Sequence, residues 1–215
     1  MFDELLGSSR AALDGIDTYL NLVENRLARA AVTRLHSPRN SVVPGSITLV
    51  HGPTGTGKTH LALKTLADLT GRHPGLEYAY SSTRRLCEMM QRADEQQSVA
   101  ELLERFSALD VLVCDDLHAL EQTPSLQTWF EMLIETLERG STQVLLLSRK
   151  PVGEIRSLDR RLVSRCHGGL CVGLPLPGLE SRVQLFQHWF REMRLPILKP
   201  FVASARFLAE RLPLS

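Results

Sequence analysis

Residues 46–69 read SITLVHGPTGTGKTHLALKTLADL, and the reading of this stretch decides the fold. Ile47, Leu49 and Val50 form a short apolar run rich in β-branched residues, the pattern of a buried strand. The chain then turns through Gly52-Pro53-Thr54-Gly55-Thr56-Gly57-Lys58-Thr59-His60 and continues with Leu61, Leu63, Leu66 and Leu69 at helical spacing. Strand, GxxxxGKT and helix in that order are the signature of a phosphate-binding loop. Each part has its own physical reason. Glycines allow backbone conformations that turn N–H groups inward around phosphate oxygens. The helix N-terminus that follows adds a field favourable to anions. Lys58 supplies a mobile positive charge for the outer phosphates, and the Thr59 hydroxyl suits Mg²⁺. A glycine-rich turn that binds nothing has no need of the full motif with both flanks. The expected ligand is a nucleoside triphosphate with Mg²⁺.

The whole chain has 215 residues, enough for one good-sized core with a small appended piece. Apolar residues make up 43% and charged residues 23%, which places it with ordinary globular proteins and excludes a disordered chain. The formal net charge is only +1, so nothing in the total demands a nucleic-acid partner. No apolar run approaches the length of a membrane span, and the first residues lack the apolar core of a signal peptide. No membrane association and a cytoplasmic location are therefore expected. Cys87, Cys114, Cys166 and Cys171 are scattered without a CxxC pair, and are expected to be free thiols in or beside buried strands.

Outward from the loop, residues 1–19 carry a weak amphipathic pattern broken by Gly7-Ser8-Ser9 and Asp14-Gly15, and read as a loosely attached leader. A stronger helical pattern covers residues 20–35, and a loop over 37–45 leads into the first strand. Further strands are expected at 76–80, 109–116, 143–147 and 170–174. Helices are expected at 84–91, 99–106, 125–138 and 158–164. Pro175 and Pro177 mark a boundary, after which helices at 178–194 and 200–212 form a small piece. Short apolar strands alternating with helices predict an α/β fold with a five-stranded parallel sheet covered on both faces. The expected division is a leader (1–19), a nucleotide-binding core (20–177) and a partial helical lid (178–215).

The run Val111-Leu112-Val113-Cys114 ends in Asp115 and Asp116. In a parallel sheet the carboxyl ends of strands share the edge that carries the phosphate loop, so both carboxylates are expected to face the nucleotide. Asp115 is placed to hold the Mg²⁺ shell, and Asp116 to orient or activate the attacking water.

With both motifs placed, the chain resembles the AAA+ ATPase family, and within it the nucleotide-binding domain of DnaA-type bacterial replication initiators. The segments that carry the resemblance are Asn25-Arg26-Leu27-Ala28-Arg29-Ala30-Ala31, the loop from Gly55 to Leu61, and the run from Val111 to Asp116. Arg161-Leu162-Val163-Ser164-Arg165 and Leu179-Glu180-Ser181-Arg182-Val183 complete the set, in the family's order. The resemblance implies ATP hydrolysis and nucleotide-gated assembly in the initiation or regulation of DNA replication. It makes Arg165 an arginine finger acting in trans on a neighbouring subunit's γ-phosphate, so that the chain self-associates. It places Asn25 near the nucleotide, and implies single-stranded DNA or replication proteins as partners. The helix pair between residues 84 and 106 falls where initiators carry an insertion for filament geometry, yet Glu88, Asp94, Glu95, Glu101 and Glu104 do not suit a nucleic-acid groove.

Three departures from the family pattern stand out. After the fourth strand the family places a short polar residue, usually Asp in initiators, that polarises the attacking water; here Ser148-Arg149-Lys150 stands, with Arg149 at the aspartate position. The sequence reaches Ser215 before the lid arginine that senses the γ-phosphate. A helix-turn-helix segment is not among these residues either, as expected of a fragment or of a short homologue like the adaptor that inactivates initiators. A weakly hydrolysing, nucleotide-gated adaptor and a helicase-loader or transposition-helper ATPase are thus the alternatives to an initiator-type ATPase.

Overall fold

The computed structural model describes residues 2–14, 16, 18–35, 46–192 and 206–207. Five strands, β1 (Ile47–His51), β2 (Tyr78–Ser82), β3 (Val111–Asp115), β4 (Gln143–Ser148) and β5 (Leu170–Gly173), make one sheet in the order β2-β3-β4-β1-β5. Every pairing is parallel, as the alternation of strands and helices predicts. Eight helices accompany it among the described residues: α1 (Phe2–Ala11), α2 (Arg26–Val32), α3 (Lys58–Arg72), α4 (Thr83–Glu95), α5 (Val99–Ser107), α6 (Gln127–Arg139), α7 (Arg160–Gly168) and α8 (Leu179–Glu192).

Alternation along the strands divides the core into two layers. Leu112 and Cys114 of β3, Val144 and Leu146 of β4, and Leu49 of β1 point toward α4, α5 and α6. Val111, Val113, Leu145, Leu147 and Val50 point the other way, onto α2 and α3 through Ala28, Val32, Leu61, Leu66 and Leu69. With β3 and β4 buried at every position, their sequences read as continuous apolar runs. Because β1 lies between β4 and β5 while β2 follows it at the far edge, the strand order reverses beside β1. A crevice opens at such a reversal, at the carboxyl ends of the strands.

Several sequence expectations need correction. The first segment is not loosely attached: α1 lies against the edge strand β2, with Phe2 and Leu5 buried in the core. Phe2 meets Phe106 edge-on with ring centroids 5.1 Å apart. Ser9 Oγ accepts the Tyr80 N–H at 2.9 Å and donates to the Leu5 carbonyl at 2.7 Å, so α1 supplies a polar partner to the strand's open edge. Helix α2 is shorter than the pattern over residues 20–35 suggests; Leu22 and Leu35 are buried outside it, while Leu27 within it is 74% exposed. Strand β2 starts at Tyr78 instead of residue 76, because Leu76 is buried in the preceding turn, its N–H donating to His73 O. The loop expected over 37–45 and most of the helix expected over 200–212 lie outside the described residues.

Candidate nucleotide site

The loop after β1 is shaped by its glycines. Gly55 and Gly57 have φ of 83° and 89°, in the left-handed region that side chains disfavour. Gly52 is needed for a different reason: a Cβ there would stand 2.0 Å from the Leu174 carbonyl oxygen, because the strand-end backbones are tied by Leu174 N–H to His51 O and Gly52 N–H to Ser148 O. Helix α3 begins at Lys58 with no side chain capping its first turn, which leaves the N–H groups there open to an anion. Pro53, Thr54, Gly55 and Thr59 are exposed at the rim, and Thr56 is buried with its hydroxyl donating to Pro53 O.

Lys58 is 9% exposed and folds back over the loop, donating to Gly52 O at 2.6 Å and Pro53 O at 2.8 Å. Burial lowers its pKa, with Asp115 and Asp116 opposing and Arg149 adding to the effect. The carboxyl end of β3 meets the start of α3 here: Thr59 Oγ1 donates to Asp115 Oδ2 at 2.7 Å. Asp115 is held on both oxygens, since Oδ1 accepts the Asp116 N–H at 2.7 Å and Oδ2 also accepts the Tyr80 hydroxyl at 3.2 Å. A hydroxyl and a carboxylate converging on one point are hard oxygen donors, and Mg²⁺ takes few protein ligands, completing its shell with water and phosphate. The donor set fits Mg²⁺, and no group of three or more His, Cys, Asp or Glu gathers as a metal cage among the described residues.

Asp116 differs from its neighbour. Its φ of 57° is left-handed, uncommon for a residue with a side chain, and the following 3-10 turn is tied to it by Ala119 N–H. This kink turns the carboxylate outward, so Asp116 is exposed while Asp115 stays buried. His118 Nε2 lies 3.8 Å from Asp116 Oδ1, and burial holds the imidazole below its usual range. Its Nδ1 is buried with no hydrogen-bond partner among the described residues.

A pocket adjoins the loop, lined by Tyr19, Leu20, Asn25, Gly57, His60, Pro175 and, on α8, Leu185, His188 and Trp189. Its apolar walls beside the phosphate loop suit a nucleobase and ribose. Asn25 is 3% exposed and works on the backbone: its side chain accepts Leu22 N–H and donates to Leu20 O, fixing the turn that makes one wall. His60 faces Tyr19 edge-on at 5.2 Å. Across the mouth, Glu24 accepts Gly178 N–H and Ser181 Oγ–H, each at 2.6 Å, which joins the first wall to the start of α8.

The structure therefore gathers the loop, Lys58, Thr59, Asp115 and Asp116, with Asn25 and His60 in the adjoining pocket. Arg165 is elsewhere. It sits on α7 with its guanidinium on Glu138 and Glu135 of α6, the latter at 3.4 Å. Helix α6 runs back from the β3 exit toward the start of β4, so its last turn lies by the amino edge of the sheet, away from the phosphate loop. Sequence reasoning missed Tyr80, His118, Tyr19, Glu24 and the α8 wall. His118 had a signal, standing two residues past the carboxylate pair; Tyr80 had a fainter one, near the end of a strand bound for the same sheet edge.

No helix among the described residues is long and apolar enough to cross a membrane. The family model for the bacterial DnaA ATPase domain matches residues 13–173. The chromosomal replication initiator protein DnaA of Gloeothece citriformis (strain PCC 7424) is 31% identical over 175 residues, covering 80% of this chain and 38% of that protein. The chain thus spans well under half the length of that relative. AMPPCP-bound DnaA from Aquifex aeolicus superposes with a TM-score of 0.77 at 25% identity, over 92% of this chain and 60% of the other. A replication initiator DnaA bound to AMPPCP and single-stranded DNA gives the same TM-score at 24% identity, covering 92% and 59%, and likewise has this fold.

Proposed function

Because this chain belongs to the bacterial DnaA ATPase domain family, we propose that it binds ATP with Mg²⁺ at the loop of residues 52–59 and assembles when the γ-phosphate is present. The observation that carries the reading is the meeting of Thr59 and Asp115 at 2.7 Å beneath an open helix N-terminus, with Asp116 projecting beside them. In this reading Thr59 and Asp115 hold Mg²⁺, which supplies charge neutralisation for the phosphates. Lys58 exchanges the Gly52 and Pro53 carbonyls for phosphate oxygens. Asp116 orients the attacking water, its carboxylate left free by the left-handed turn. The base and ribose occupy the pocket between the Tyr19–Asn25 wall and α8, with His60 alongside.

We assign residues 20–177 to the nucleotide-binding core and 178–215 to a partial lid, with residues 1–19 as a leader docked through α1. Arg165 acts in trans: its position by the amino edge suits a neighbour's γ-phosphate, and assembly exchanges Glu135 and Glu138 for phosphate oxygens. Hydrolysis is weak in the lone subunit and rises on assembly. The setting is the cytoplasm, in replication initiation or its regulation, with single-stranded DNA or replication proteins as partners. A second reading, a nucleotide-gated adaptor that barely turns over, is favoured by Arg149, a cation where a water-polarising group would otherwise stand.

The test is sedimentation of the whole chain with ATP or ADP, both shown to bind. Oligomers with ATP and single subunits with ADP are expected; identical sedimentation would refute the gating. Steady-state turnover then separates the two readings. A rate lost in Asp116→Asn with ATP binding intact supports the ATPase, and a negligible wild-type rate even in the oligomer supports the adaptor.

A further inference from the structure

Helix α1 lies ahead of residues 13–173, which match the family, and the nucleotide reading above gives it no task. It occupies the open edge of β2, the outermost strand of the sheet on that side. Ser9, fully buried on α1, meets both backbone groups of Tyr80 there. Its hydroxyl accepts the Tyr80 N–H at 2.9 Å and stands 3.2 Å from the Tyr80 carbonyl oxygen. Phe2 and Leu5 anchor the rest of the helix in the core. Arg105 of α5 closes over this anchor, paired with Asp3 and 4.3 Å above the Phe2 ring.

Tyr80 carries this contact to the nucleotide site. Its ring packs on the core layer under α2 and α3, and its hydroxyl donates to Asp115 Oδ2 at 3.2 Å. That oxygen is the one that also accepts the Thr59 hydroxyl. A tyrosine side chain has only two rotatable bonds, so a shift of the Tyr80 backbone moves its hydroxyl too. Beyond α1 the chain turns through Leu13, which packs on the same layer, and reaches Thr18 and Tyr19 in the pocket wall. Helix α1 is thus tied to the site at both the metal carboxylate and the base pocket. A lone helix of ten residues is marginal in water, so α1 owes its helix to docking. Its docked and undocked forms are two states of one element, which ligands of the site can bias.

We propose that α1 is a regulatory strap: docked on β2, it raises the affinity of the site for Mg²⁺-nucleotide by holding Tyr80 against Asp115. The proposal rests on the loop being the nucleotide site. A carboxylate already oriented by a fixed hydroxyl meets the cation without first losing rotational freedom. When α1 leaves, the Tyr80 N–H and carbonyl turn to water, the edge strand loosens, and Asp115 loses a fixed partner. The coupling is reciprocal. Whatever factor docking adds to Mg²⁺-nucleotide affinity, Mg²⁺-nucleotide adds to docking. Nucleotide without Mg²⁺ does not engage Asp115 and leaves the strap as it was.

The experiment titrates Mg²⁺ into the full chain with ATP and reads both ATP binding and amide hydrogen exchange along α1. Ser9→Ala should raise the Mg²⁺ concentration for half-maximal ATP binding about 2–10-fold, and leave ATP affinity in EDTA within about twofold. In the wild type, ATP with Mg²⁺ should slow exchange along α1 by about the same factor, and ATP in EDTA should not. In a Tyr80→Phe background, Ser9→Ala should add nothing to the Mg²⁺ requirement, because the hydroxyl that carries the coupling is already gone. Three results would each overturn the strap while leaving the nucleotide site standing: a Mg²⁺ requirement unchanged by Ser9→Ala, α1 exchange indifferent to Mg²⁺ and ATP, or effects of Ser9→Ala and Tyr80→Phe that simply multiply. A wild-type chain that binds ATP neither with nor without Mg²⁺ would overturn the site itself, and the strap with it.

Discussion

Replacing Gly52 by alanine tests how tightly the loop is welded to the sheet. The added Cβ would lie 2.0 Å from the Leu174 carbonyl oxygen and 3.0 Å from its carbon, both backbone atoms with no rotamer to yield. Relief requires the end of β5 to move away from the end of β1, which breaks the 2.7 Å bond from Leu174 N–H to His51 O. One backbone hydrogen bond is worth about 0.5–1.5 kcal/mol and local overpacking about 1–3 kcal/mol, so the total is about 2–4 kcal/mol. For a chain of this size that lowers the midpoint of thermal unfolding by about 4–16 °C. Two other glycines calibrate the effect. Gly57→Ala meets nothing closer than the Tyr19 ring at 3.6 Å, but at a φ of +89° it should cost about 1–2 kcal/mol through backbone strain. Gly71→Ala, inside α3 with nothing within 4 Å, should stabilise by about 0.5–1 kcal/mol. Denaturant and thermal unfolding of the three variants give the ranking directly. A Gly52→Ala protein as stable as the wild type would refute the close approach of the β1 and β5 ends.

Two further predictions follow from contacts around the site. Tyr80→Phe keeps the ring and removes the hydroxyl from Asp115 Oδ2; the Mg²⁺ concentration for half-maximal ATP binding should rise about 2–10-fold, and an unchanged Mg²⁺ titration would show that the hydroxyl does not position the carboxylate. Cys87 and Cys166 are buried with thiols pushed up to about 12, and Cys114 is raised by complete burial, whereas Cys171 is only half-buried. Raised thiol pKa values leave little thiolate, so alkylation of native protein at about pH 8 should label Cys171 first; mass spectrometry finding Cys114 labelled as fast would contradict its place in β3.

The parts of the fold that were legible in the sequence are those whose signals are local. Ile47 to Val50, the glycines and Lys58-Thr59 lie in one contiguous segment, and each residue type is required by its own position. The run into Asp115-Asp116 was equally plain, because a strand buried on both faces has no polar interruption until its end. The docking of α1 was not legible: Phe2, Leu5 and Ser9 earn their burial from Phe106 and Tyr80, far along the chain, and seven or so residues of pattern do not reveal such a partner. Asn25 was singled out by resemblance alone, and only the fold explains it, through its bonds to Leu20 and Leu22 in the pocket wall. For Arg165 the sequence offered only the resemblance, which implies a finger. The single chain has a salt bridge, to Glu135 and Glu138, which is also where a finger would rest until a neighbour's phosphate replaced them. The outward turn of Asp116 depends on a left-handed backbone that no spacing rule predicts.

The most direct measurement of the central claim, a site shared between subunits, is subunit mixing. Lys58→Ala removes a pocket while leaving the finger, and Arg165→Ala removes the finger while leaving the pocket. Each variant alone should fail to assemble with ATP and to show assembly-stimulated hydrolysis, and Arg165→Ala alone should bind ATP about as well as wild type, since Lys58 and the loop amides do the binding. Mixed in equal amounts, the two should recover part of the activity, because an intact finger then faces an intact pocket. Poor ATP binding by Arg165→Ala alone, or no recovery on mixing variants shown to be folded, would contradict the account.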